Sequence, residues 1–303
     1  MWVFLPIAGI SVNAWLLIAA GASVGFLSGL LGVGGGFLLT PLLIMIGIPA
    51  TYAAASDSCQ IVAASSSAVA AHIRFGNVDF KMGAIQLAGG LAGAGAGVQL
   101  IHFLKALGNA DFAINLSFVL MLSVTGGFTM VDSVRNLRRG GIVTDFSSPR
   151  STWRVSKELP FQTYFSRSGI RCSVVVPFLL CAGIGLLTTI MGVGGGFVLV
   201  PAMVYLLGMP MHVAVGTSLF QILFTCSGVT YMQAATNHSV DVALALLLAA
   251  GSTIGAQAGA RLGRKMRGSQ LMIILAALAL LMAIKVAADL VRTPVRLLSP
   301  IDL

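Results

Sequence analysis

The sequence predicts an all-α integral membrane protein made of two inverted-topology repeats of five helical segments each. Three observations carry this. Of 303 residues, 57% are hydrophobic and 9% charged, with a mean hydropathy of +0.96; a soluble domain is about a quarter charged. Several uncharged stretches run for about 20 residues, the length that crosses a bilayer. The hexapeptide GVGGGF at 32–37 returns at 192–197.

The apolar segments of the first half are 10–31, 37–48, 52–73, 82–104 and 112–131. Those of the second are 172–191, 197–207, 212–233, 242–262 and 271–290. A polar stretch divides them, which gives a first transmembrane repeat over 1–131, a cytoplasmic basic linker over 132–171 and a second repeat over 172–303. In each half the first segment ends in the glycine turn. The second segment is too short to span: a helix over 37–48 measures about 18 Å at 1.5 Å per residue, against roughly 30 Å of hydrocarbon. A re-entrant hairpin with its turn inside the membrane is therefore expected in each half. The third segment is the polar one. The fourth carries Gly93-x3-Gly97 or Gly255-x3-Gly259, a spacing that lets helices pack closely. The fifth closes each half.

The repeat is ordered. Gly32, Gly34, Gly35, Gly36, Phe37 and Pro41 match Gly192, Gly194, Gly195, Gly196, Phe197 and Pro201. Gly47, Pro49 and Gln60 match Gly208, Pro210 and Gln221, and Asp79 matches Asp241. Each half crosses an odd number of times, so the halves are inverted, a common architecture of secondary transporters. Lysine and arginine set the orientation. With the central loop inside, Arg74, Lys81, the loop residues and the Arg261–Arg267 cluster face the cytoplasm; Lys105, Arg292 and Arg296 face outward. The N-terminus is then periplasmic, and nothing at it reads as a cleaved signal peptide.

The net charge of +9 sits between apolar runs, so it reads as topology signal rather than as a nucleic-acid surface. Cys59, Cys172, Cys181 and Cys226 form no CxxC and read as small buried residues. There is no HExxH and no P-loop lysine, so the sequence predicts no enzyme, no cofactor and no metal.

A non-helical backbone at membrane depth must be buried in protein or line a wet cavity. Gly34, Gly35 and Gly36, with Gly194, Gly195 and Gly196, are such backbones. Helices starting at Phe37 and Phe197 aim free N–H groups at the turns, and a helix N-terminus suits an anion. The third segments add Gln60 in the first half and Thr217, Ser218 and Gln221 in the second, donors suited to an oxyanion. These ten residues are the expected substrate site. Asp57, with Ser218 at its equivalent position, is the candidate for proton coupling. The partners expected are a small anionic substrate and the lipid bilayer, with no nucleic acid; oligomeric state leaves no trace in the residues.

The paired GVGGGF-x3-P turns, each followed by G-x-P and a small-polar helix, resemble the TauE/SafE family of sulfite exporters. GNVD at 76–79 and HSVD at 238–241 strengthen the likeness. It covers about 14–290 apart from the linker. VGTS at 215–218 follows the family pattern, whereas the first half has ASDS at 55–58. The resemblance implies a permease of the bacterial inner membrane for sulfite or an organosulfur anion such as sulfoacetate. The expected activity is export by alternating access at a central site; a passive anion channel and a carrier of small carboxylates are the alternatives.

Overall fold

A computed structural model describes residues 2–5, 10–106, 110–138, 161–237, 240–266 and 268–292. Within them each half contributes five α-helices. The first half has α1 (Ala14–Leu31), α2 (Gly36–Ile46), α3 (Ala50–Arg74), α4 (Phe80–Ala106) and α5 (Ala110–Arg138). The second has α6 (Val175–Met191), α7 (Gly196–Tyr205), α8 (Met211–Met232), α9 (Val242–Gly263) and α10 (Gly268–Arg292). Four stretches are long and apolar enough to cross a membrane: Ala14–Leu31, Phe80–Leu104, Met211–Thr236 and Val242–Gly263. Of the linker, residues 139–160 lie outside the described residues, as do His238 and Ser239 of the HSVD stretch.

Each half also opens with a β-hairpin. β1 (Trp2–Leu5) pairs antiparallel with β2 (Ile10–Asn13), and β3 (Gln162–Phe165) pairs with β4 (Ile170–Ser173). Leu5 and Phe165, at matching places in the two hairpins, are fully buried. The apolar segments starting at 10 and 172 therefore begin with a strand, not with helix. Four residues hold too few positions for a period of two to stand out against an apolar run.

Helix ends follow ordinary capping chemistry. The Asn13 side chain accepts from the Trp15 N–H at 3.1 Å and opens α1. Asp79 and Asp241 open α4 and α9, accepting through Oδ1 from Met82 N–H (3.2 Å) and Leu244 N–H (3.1 Å). Their own N–H groups donate to hydroxyls across the halves: Asp79 to Thr217 Oγ1 (3.0 Å) and Asp241 to Ser56 Oγ (2.9 Å). Asp79 and Asp241 are thus helix starts tied to the opposite half. Asp79 Oδ2 also accepts from the backbone N–H and hydroxyl of Ser168, in the turn of the β3–β4 hairpin, at 3.1 and 2.7 Å.

Small residues let the halves interlock. A methyl on Gly21, Gly25 or Gly29 would strike Leu248, Ser252 or Ala256; one on Gly251, Gly255 or Gly259 would strike Ile18, Ala22 or Phe26. These positions advance together, so α1 and α9 lie parallel at backbone contact. Gly89, Gly93 and Gly97 meet Phe178, Ala182 and Leu186 in the same way, which makes α4 and α6 parallel. Ser56 and Ser67 bond Asp241 and Thr253, so α3 runs with α9. Asp79 and Gly90 meet Thr217 and Gln221, so α4 runs with α8. Gly216 lies against His72, while Ile61 and Ile222 meet at the same glycines, so α3 and α8 run opposite ways.

One consequence positions the site. Because α1 and α3 run in the same sense, α2 must carry the chain back between them. It does so in 11 residues, about 16 Å.

Candidate functional site

Three glycines in each turn hold left-handed backbone. Gly32, Gly34 and Gly35 have φ of 73, 84 and 86°; Gly192, Gly194 and Gly195 have 70, 74 and 70°. Residues with a Cβ rarely adopt this region. The turns end α1 and α6 at Gly32 and Gly192, whose N–H groups bond Ser28 and Thr188 carbonyls at 2.8 and 2.7 Å. They start α2 and α7 immediately afterwards. The Gly35 carbonyl accepts from Leu38 and Leu39 N–H at 3.0 and 3.2 Å, and that of Gly195 from Val198 and Leu199 at 3.1 and 2.9 Å. Pro41 and Pro201 sit inside the short helices, where they offer no N–H to the carbonyls of Phe37 and Phe197.

The two turns meet back to back. A methyl on Gly36 would sit 2.8 Å from Val193 Cα, and one on Gly196 would strike the Val33 carbonyl. The Phe37 and Phe197 rings stack with centroids 5.8 Å apart. Ile61 of α3 and Ile222 of α8 close over Gly34 and Gly194, joined by Cys226, whose Sγ would lie 3.2 Å from a Gly194 methyl. Every residue from Ser28 through Pro41, and from Thr188 through Phe197, is buried. A void of about 10 Å³ borders Gly195 and Phe197, with room for no more than a water.

A helix that ends at a turn aims carbonyls into it, which opposes anion binding. Two serines blunt that here. Ser218 Oγ lies 2.7 Å from the Gly32 carbonyl and 2.9 Å from that of Val215; Ser58 Oγ lies 3.0 Å from the Ala54 carbonyl and 3.4 Å from that of Gly192. The hydroxyl of Ser218 is thereby committed to backbone, and that of Thr217 to the start of α4.

Several buried polar groups near the centre have no such commitment. Gln60 is fully buried, and neither its amide oxygen nor its nitrogen has a partner among the described residues. Gln221 donates from Nε2 to Thr225 Oγ1 at 2.8 Å while its Oε1 has no partner there. Its amide points to Gly90 of α4, where a methyl would sit 2.5 Å away; the turns are touched instead by the next residue, Ile222. Asp57 reaches the first residue of α2: Thr40 Oγ1 donates to its Oδ2 at 2.6 Å, and a methyl on Gly36 would be 2.8 Å from that oxygen. Its Oδ1 has no partner among the described residues.

Two residues escaped the sequence reading. Gln86, one turn before Gly90 on α4, is fully buried with both amide atoms unpartnered among the described residues. Its signal was available: it is a glutamine in an apolar segment. Thr40 is fully buried and holds Asp57; its signal was the mismatch with Val200 in an otherwise matching turn. An unpartnered buried polar group costs about 1–3 kcal/mol, so Asp57, Gln60, Gln86 and Gln221 are each groups whose missing bonds something else can supply. On the face carrying the loop after α3, Arg264 stacks over Phe75 at 4.5 Å and Arg167 lies beside Gly76.

The family model described as "Sulfite exporter TauE/SafE" matches residues 17–286. The chain belongs to that family. Three relatives are similar along nearly their whole lengths. The probable membrane transporter protein YjnA of Bacillus subtilis (strain 168) is 27% identical over 274 residues, 89% of this chain and 98% of the relative. The probable membrane transporter protein YunE of the same strain is 26% identical over 270 residues, 86% and 92%. A probable membrane transporter protein of Xylella fastidiosa (strain 9a5c) is 26% identical over 255 residues, 84% and 86%. No solved structure matches the chain.

Proposed function

We propose that the chain is a multi-pass secondary carrier that exports a small anion, sulfite or an organosulfur anion such as sulfoacetate, by alternating access. The single observation that carries the reading is the meeting of two glycine turns at the centre, each opening a short helix toward the same place. A helix start presents about half a positive charge and unpaired N–H groups. In a medium that excludes water, that is a site for a negative solute. The substrate site comprises Gly34, Gly35, Gly36, Gln60, Gly194, Gly195, Gly196 and Gln221, joined by Gln86. Thr217 and Ser218 shape it through the backbone they hold.

The inverted repeat is part of the proposal. It is supported by helix direction: α1 and α3 run with α9, while their counterparts α6 and α8 run with α4. Family membership and the relatives' names support a transporter. The turns are closed by Ile61 and Ile222 in this conformation, with no room for a solute between them, so binding requires them to part. Opening one side then means sliding one half's helices along the glycine seams. A cytoplasmic central loop and a periplasmic N-terminus in the inner membrane complete the arrangement. Export of an anion from a negative-inside cell gains about 2.3 kcal/mol per charge per 100 mV.

The test is uptake of radiolabelled sulfite, sulfoacetate and small carboxylates into proteoliposomes holding the full chain. Saturable flux of a sulfur anion supports the reading. Linear, unsaturable flux identifies a channel, and movement of organic cations alone refutes an anion site.

A further inference from the structure

We propose that Asp57 carries a proton that travels with the anion, and that the anion occupies the turns only while Asp57 is protonated; this rests on the anion-carrier reading. The two halves differ here in a paired way. Asp57 and Thr40 stand where the second half has Ser218 and Val200. The acid and the hydroxyl that holds it occur together in one half and are both missing from the other.

Placement makes this difference consequential. Asp57 is fully buried, and its Oδ2 lies against Gly36, the first residue of α2. An ionised carboxylate there is a tethered anion at the very helix start that a substrate would use. Its donors come from one residue, Thr40, through the hydroxyl and the backbone N–H, and its Oδ1 has none among the described residues. A buried carboxylate is normally held by several donors or by a cation. Neither α1, α2, α7 nor α8 carries a lysine or arginine. The titratable groups they present are Tyr205, His212, Cys226 and Tyr231, of which Cys226 lies at the turns against Gly194; α9, also packed on α3, adds Asp241, whose N–H bonds Ser56, and Arg261 in its last turn. On α3 itself, Cys59 is half-buried and His72 and Arg74 stand at the far end.

The chemistry balances simply. A proton from water adds to the carboxylate, forming one O–H bond, and returns to water on the other side with the anion. Protonated on Oδ1, Asp57 changes from a competitor into a hydrogen-bond donor with no other partner. Two negative charges at one helix start become one. A monoanion then moves without net charge, while a dianion such as sulfoacetate still carries one negative charge outward.

The experiment is titration calorimetry of the full chain with sulfoacetate and methanesulfonate, whose sulfonates stay ionised near neutrality. It is run in buffers of different ionisation enthalpy from about pH 5 to about pH 9. The expected result is uptake of about one proton per anion on the alkaline side, where affinity falls about tenfold per pH unit. Asp57→Asn is expected to bind with no linked proton and a flat pH profile. Thr40→Val, which copies Val200, is expected to keep the proton linkage with its alkaline limb displaced, and it serves if Asp57→Asn does not fold. Anion binding without proton uptake in the wild type, or uptake that persists in Asp57→Asn, overturns this proposal and leaves the carrier reading intact. Failure of every anion to bind at any pH overturns both.

Discussion

Gly196→Ala asks whether the two turns must touch. Gly196 has ordinary helical backbone, so alanine there adds no φ strain. Its methyl would nevertheless strike the carbonyl of Val33 and lie 2.6 Å from that residue's carbonyl carbon and Cα. These are backbone atoms of a turn held by Ser218 and by packing, so no side chain can swing aside. The turns must part by roughly 1 Å, and overpacking of this kind costs about 1–3 kcal/mol or somewhat more. Gly47→Ala is the control. Gly47 has φ of 103° with nothing within 4 Å of a new methyl, so it carries only the left-handed penalty of about 1–2 kcal/mol. Both variants are expected to unfold at lower temperature than the wild type in detergent. Only Gly196→Ala is expected to lose transport in proteoliposomes, by at least about tenfold, since about 1.4 kcal/mol at the site is a factor of ten. If Gly196→Ala transports at the wild-type rate, contact between the turns is not part of the mechanism.

Other consequences are equally open to measurement. Asp79→Ala removes the cap of α4, worth about 1 kcal/mol, and strands the buried N–H and hydroxyl of Ser168 at about 1–3 kcal/mol each. It should lower thermal stability and expose Arg167 and Arg171 to trypsin; unchanged cleavage would mean that Asp79 does not hold the hairpin. Burial pushes the Cys172 thiol up to about 11, and the Asp79 carboxylate adds to the effect. Alkylation of Cys172 followed by mass spectrometry should therefore be slow at pH 8, rise about tenfold per pH unit toward pH 11, and speed up in Asp79→Asn. Equal rates in the two proteins would remove the Asp79 contribution. Gln86→Leu should raise thermal stability by about 1–3 kcal/mol, because it removes an unpartnered buried amide, while reducing transport. A loss of stability would show that Gln86 is already bonded in the resting protein.

The glycine repeat was readable because only glycine tolerates the left-handed turns and the backbone contacts along the α1–α9 and α4–α6 seams. The short second segments were readable from length alone. What stayed hidden depends on contacts between distant residues. Nothing local in ASDS shows that Asp57 reaches α2, because its partner Thr40 lies 17 positions earlier, beyond the proline-bounded loop. Gln221 was visible as a polar residue in an apolar helix, but the roughly 100° turn between neighbours decides that Ile222 faces the glycines and Gln221 faces α4. Thr217 and Ser218 looked like free hydroxyls, and their commitment to Asp79 and Gly32 spans 138 and 186 positions. The hairpins were hidden by their brevity.

The most direct measurement is a high-resolution electron cryomicroscopy map of the full chain in lipid nanodiscs with sulfoacetate present. Density for the anion within hydrogen-bond reach of the backbone at Gly34–Gly36 and Gly194–Gly196 is the predicted result. Anion density confined to the arginines around Phe75, with the turns still closed by Ile61 and Ile222 and empty, would contradict the account.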